Sequence, residues 1–207
     1  MFTRMESRAK KRKYTLKRRA DQQEQTRVRI VEATVALHEE LGPRNTTISA
    51  IAERAGVQRL TVYRHFPDDH AIFAACTTRW LELNPPPQPA LWQDVSGPYK
   101  RCGIALAAFY GYYRRTARMW SVAYRDVESV PALQGPMAQF DAYLDQLRDG
   151  LLQGWSLTRA RRRDVAVTLG HCLRFATWCS LADTGLKDSQ LVGLALRWLR
   201  AGAEGLD

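Results

Sequence analysis

Residues 46–66 read TTISAIAERAGVQRLTVYRHF, from Thr46 to Phe66. Ile48, Ile51, Ala52 and Ala55 recur at helical spacing, so a short helix presents one apolar face, with Thr46 or Thr47 supplying the capping hydroxyl. Gly56 follows Ala55 directly, where a left-handed backbone ends a helix at little cost to a residue without Cβ, and Val57 comes next as an apolar plug. A second short helix is predicted from about Gln58 to Arg64. Val62 and Phe66 would turn inward, leaving Gln58, Arg59, Thr61 and Tyr63 outward. Two short helices with a tight turn make a helix-turn-helix. Ala52 and Gly56 are expected to be small because the helices cross closely there. An ordinary two-helix corner with an alanine and a glycine is the alternative that spacing alone leaves open.

The flanking sequence supports a tripod. From about Asp21 to Leu41, Val28, Val31 and Val35 with Ile30, Ala33, Leu37 and Leu41 predict an amphipathic helix closed by Gly42-Pro43, which supplies the back wall. Downstream, Pro67 opens another helix whose N-terminal end Asp68 and Asp69 stabilise, with Ile72, Phe73, Cys76 and Trp80 or Leu83 on one stripe.

The run Ile30, Val31, Ala33, Gly42, Thr46-Thr47, Ile51-Ala52, Ala55-Gly56-Val57, Val62 to Phe66 and Ala71-Ile72-Phe73 resembles the N-terminal domain of the TetR (tetracycline-repressor-like) transcriptional regulators. The remainder is similar only in length and helical character. The resemblance implies an all-α chain with a DNA-binding domain over 21–76 and a helical regulatory and dimerisation domain over 77–207, and the charge of residues 1–20 marks a basic arm ahead of them. It also implies a two-fold dimer on double-stranded DNA with a palindromic operator, through a four-helix bundle of the last two long helices of each subunit.

The side chains offered to DNA follow from groove chemistry. Arg59 suits guanine and Gln58 adenine, both by bidentate hydrogen bonds, and Thr61 suits a base edge or a thymine methyl. By the resemblance, Tyr63 and His65 contact phosphate, as does Thr47 at a helix N-terminus. Leu60 stands where the family often has a small residue, which puts an apolar side chain toward DNA or shifts the docking. Asp69 stands where it often has a phosphate-contacting lysine, so compensating charge is expected from the arm.

That arm carries most of the charge. The net charge is +10, and residues 1–20 hold nine Lys or Arg against Glu6, or +8. With few apolar side chains, the segment is expected to be a mobile arm contacting phosphate or a minor groove, Lys17, Arg18 and Arg19 lying nearest the domain. A solvated tail is the plainer reading. No apolar run reaches about 18 residues and the N-terminus lacks a signal-peptide core, so a cytoplasmic protein is expected. Cys76, Cys102, Cys172 and Cys179 have no CxxC spacing and read as core residues.

Asn84 to Pro89, NPPPQP, is read as a loop. Beyond it four helical segments are predicted. Gly97-Pro98 opens the first, with Cys102, Leu106, Phe109 and Tyr113 on one stripe and a break near Thr116. Pro136 opens the second, running to Gly154. Thr158 caps the third, with Val165, Leu169, Cys172, Ala176 and Cys179 on one face and His171, Phe175 and Trp178 on another; the second apolar face suggests a partner surface. The last follows Gly185 and carries Leu191, Leu194, Trp198 and Ala201. A small-molecule effector would be held by Phe109, Tyr113, Trp120, Tyr124, Phe140, Phe175 and Trp178, with His171 and Arg174 as polar handles. Core packing is the competing assignment for each.

Four scattered histidines, no metal-ligand cluster, no glycine-rich phosphate loop and no nucleophile motif argue against an enzyme, and no cofactor or metal is expected. The expected function is a dimeric sequence-specific regulator, most simply a repressor released by a ligand. An activator or ligand-independent regulator shares every residue used, and an architectural DNA binder would use the arm alone.

Overall fold

A computed structural model describes residues 3–204, with side chains from Lys17 onward. The regular elements among the described residues are all helices, without strands, and divide into two units at Leu83/Asn84.

In the first unit α1 spans Thr3–Leu41, α2 Ile48–Ala55, α3 Arg59–His65 and α4 Asp69–Leu83. The helix expected from Asp21 therefore begins at Thr3 and takes in most of the segment read as an arm. Residues 3–41 hold no Gly or Pro and are rich in Lys, Arg, Glu and Ala, all strong helix formers, which accounts for the continuity. The arm's side chains before Lys17 lie outside the described residues. Gly42, at φ 86°, stops the helix, and Pro43–Asn45 forms a 3₁₀ turn.

Ile30, Val31, Ala33 and Leu37 of α1 close over Ile51, Ala52 and Ala55 of α2, Val62 and Phe66 at α3, and Ile72 of α4. Val28 and Leu41, expected inside, are exposed. Trp80 Nε1 donates to Glu39 at 3.2 Å, tying α4 to α1. Burial pushes the Cys76 thiol up to about 12, so it remains protonated at neutral pH and serves as core.

The second unit is organised on α5 (Pro98–Asp126), with α6 Pro131–Leu151, α7 Arg159–Cys172, α8 Phe175–Ala182 and α9 Asp188–Glu204. Cys102, Leu106, Phe109 and Tyr113 are all inaccessible on α5, as the stripe requires. No break occurs near Thr116. Its hydroxyl donates to the Tyr112 carbonyl at 2.7 Å and is satisfied within the helix. α6 starts at Pro131, which leaves Pro136 inside it rather than at its head.

The third predicted helix is two helices, α7 and α8, meeting at 67°. Arg174 is extended (φ −76°, ψ 142°). The carbonyls this frees find partners: Tyr113 Oη donates to Leu173 O at 2.7 Å and Thr177 Oγ1 to His171 O at 2.7 Å. Arg174 pairs with Asp141 and Asp145 of α6. The bend carries Phe175 and Trp178 inward and leaves Ala176 exposed, so most of the apparent surplus face is intrachain core. On α9 the buried positions are Leu191, Val192, Ala195 and Leu199, while Trp198 and Ala201 face outward. Arg114 forks onto Asp188 at 2.6 and 2.8 Å, joining α5 to the start of α9 and holding that carboxyl below its usual range.

Candidate nucleic-acid interface

The reading corner is built by three local devices. Thr47, extended at the head of α2, accepts from Ala50 N at 3.2 Å, so its hydroxyl stands among the free amides of the first turn. Gly56 adopts the left-handed conformation (φ 65°, ψ 41°), and the next amide, Val57 N, donates to Ala52 O at 2.9 Å to close the turn. A Cβ added at Gly56 would meet nothing within 4 Å. Its backbone angle, not a close helix crossing, requires glycine here. Arg54 then forks onto Glu40 at 2.7 and 2.9 Å, fastening α2 to α1.

Helix α3 starts after Gln58 and is anchored by Val62, fully buried, and Phe66. Gln58, Arg59, Leu60 and Tyr63 are exposed, while Thr61 and His65 are half-buried. Leu60, 59% exposed, belongs to the outward surface as its departure from the family pattern suggested. Asp69 is exposed at the start of α4, and Asp68 caps that helix by accepting from Ala71 N at 2.7 Å.

Beside the reading helix lies a cleft of about 660 Å³. Arg19, Gln22, Gln23, Thr26 and Arg27 of α1 form one wall, and Thr61, Arg64 and His65 of α3 the other. The Arg27 guanidinium lies 5.3 Å from the Phe66 ring centroid, a cation on the aromatic anchor of α3. Against three arginines only Glu24 brings a negative charge, so the cleft suits a phosphodiester. Lys17 and Arg18, immediately before Arg19 on α1, are also exposed. Gln22, Gln23, Thr26, Arg27 and Arg64 are additions to the residues inferred from sequence. Their helical spacing from Arg19 was visible, but nothing in one helix shows that α3 stands opposite.

The effector residues are distributed differently from the expectation. Phe109, Tyr113, Trp120, Tyr124, Phe140, Phe175 and Trp178 come together, but as rings in contact: Trp120 and Phe140 at 4.2 Å, Tyr113 and Phe175 at 5.4 Å, Tyr124 and Phe175 stacked at 5.5 Å. His171 is exposed on α7 and takes no part, and Arg174 is engaged by Asp141 and Asp145. The set is packed as core.

An outward polar helix on a three-helix tripod defines a helix-turn-helix DNA-binding protein. Residues 30–76 match the model for bacterial regulatory proteins of the tetR family, so the first unit carries a tetR-family DNA-binding domain. The fold of the chain is that of TetR-like regulators. It is similar to a TetR-like transcriptional regulator from Rhodococcus sp. RHA1 (TM-score 0.65, 22% identity, 87% of this chain and 97% of that one). It is also similar to a second transcriptional regulator from Rhodococcus sp. Rha1 (TM-score 0.60, 15% identity, 87% and 99%). No curated relative matches by sequence. Regulators of this family are DNA-binding transcription factors and not enzymes.

Proposed function

We propose that the chain works as a homodimer that reads a palindromic operator, blocks transcription there and lets go when a small molecule binds the second unit. The observation that carries the reading is the outward face of α3, where Gln58, Arg59, Leu60 and Tyr63 are exposed while Val62 and Phe66 hold the helix in place. Arg59 and Gln58 contact base edges in the major groove, with Thr61 and Leu60 against thymine methyls. Thr47, Tyr63, His65 and the α1 cations Lys17, Arg18 and Arg19 bind phosphate. Release requires only differential affinity: about 1 to 3 kcal/mol of coupling changes DNA binding 5- to 150-fold.

Arg59→Ala tests the base-reading role. It is expected to cost roughly 1 to 3 kcal/mol on the operator and to relax preference at one base pair, measured by anisotropy on operator variants. A uniform loss across variants assigns Arg59 to phosphate instead.

The dimer surface lies on α7 and α9. Val167 is 68% exposed and Trp198 36%, apolar side chains left outward after the bend has turned Phe175 and Trp178 in. A second copy covering them would supply the pair of DNA-binding units that a two-fold operator requires. Val167→Glu combined with Trp198→Glu is expected to sediment as a monomer at micromolar concentration while the wild type sediments as a dimer. A monomeric wild type contradicts the assembly.

A further inference from the structure

The second unit holds a cleft of about 400 Å³ that none of the residues inferred from sequence lines, within the range of small-ligand sites. Its apolar side is Pro89 and the buried Trp92 and Leu147; its polar side is Gln93, Gln146 and Gln153. Arg101 is the single charged residue lining it.

The placement of that guanidinium is a built feature. Nη1 donates to the Val95 carbonyl at 3.4 Å and Nη2 to the Gln153 carbonyl. Two of five N–H donors are thereby used and the plane is fixed, so binding a planar anion costs little side-chain entropy. The adjoining backbone is shaped to it. Gly154 has φ +79°, and a Cβ there would meet Arg101 Nη2 at 3.2 Å. A pinned guanidinium over an apolar floor, with no carboxylate in the lining, selects a carboxylate joined to an apolar body.

We infer that this cleft binds a small monocarboxylic acid with an apolar body, its carboxylate on Arg101 and its body against Trp92 and Leu147. The three glutamine amides offer further donors and acceptors to any polar substituent. Pro89 and Trp92 belong to the segment that leaves α4, pinned also by Tyr143 Oη donating to Pro87 O at 2.5 Å, so an occupant braces the start of the second unit. Binding stands by itself; its role as the effector site rests on the regulator reading above.

The test is calorimetric titration of the full chain with octanoate and with octanamide, its neutral counterpart. Saturable binding of octanoate, at least tenfold tighter than octanamide, is expected. Arg101→Gln should remove that preference. Gly150→Phe, at a lining position where an added Cβ meets open space, should fill the cleft and abolish binding with Arg101 intact. Equal binding of the two probes, no binding of octanoate, or binding that survives Gly150→Phe overturns the site. If Arg101→Gln fails to fold, Gly150→Phe and the two-probe comparison still decide. DNA affinity is read in the same samples. Octanoate binding that leaves it unchanged removes the effector role but not the site, and a wild type that binds no specific DNA removes the regulator reading alone.

Discussion

Removing residues 1–20 is expected to lower DNA affinity by roughly two orders of magnitude or more and to make its salt dependence shallower by about 3 to 4 units of slope. The segment brings +8 of the net charge, and each phosphate neutralised adds about 0.9 to the slope, so engagement of about half its cations gives the stated change. From Thr3 it is the start of α1, and its last turn leads into the cleft where Arg19, Gln22 and Thr26 face Thr61 and His65. Truncation would remove charge that offsets Asp69 while leaving the tripod core, which begins at Ile30, untouched. Anisotropy titrations between low and moderate salt provide the measurement. An unchanged slope would assign the segment to solvent.

Trp120→Ala is expected to destabilise the second unit by about 3 to 5 kcal/mol, the range for a buried indole. Trp120 is 5% exposed, and its ring centroid lies 4.2 Å from that of Phe140, 6.0 Å from that of Tyr124 and 6.3 Å from that of Tyr113. The truncation would open a cavity that neighbouring rings, themselves interlocked, cannot collapse to fill. If the cluster were instead an open effector site, the indole would already border space and its loss would cost under about 1 kcal/mol. Urea unfolding followed at a probe in the second unit separates the two, since the two units need not unfold together.

Local rules made the tripod legible. Gly56, the inward pair Val62 and Phe66, and the Ile30 to Leu37 face each obey a short-range requirement visible in one stretch of chain. The α5 stripe was legible for the same reason. The bend at Arg174 was not, because Val165, Leu169, Cys172, Ala176 and Cys179 keep helical spacing straight across it. What breaks the helix there comes from elsewhere: Tyr113 on α5 and two aspartates on α6. The helical course of the basic segment rests on its Lys, Arg, Glu and Ala content, a signal that its charge alone does not carry. The clefts flanking α3 and Arg101 are formed by residues far apart in sequence, and no single segment announces either one.

Genome-wide footprinting of the purified protein, followed by competition between a footprinted fragment and random DNA at one salt concentration, addresses the central claim most directly. A base-reading dimer predicts discrete, two-fold symmetric footprints and a preference of about a thousandfold or more for the fragment, lost stepwise on mutating its half-sites. Equal competition by random DNA would contradict it and leave a protein that coats DNA through its basic helix.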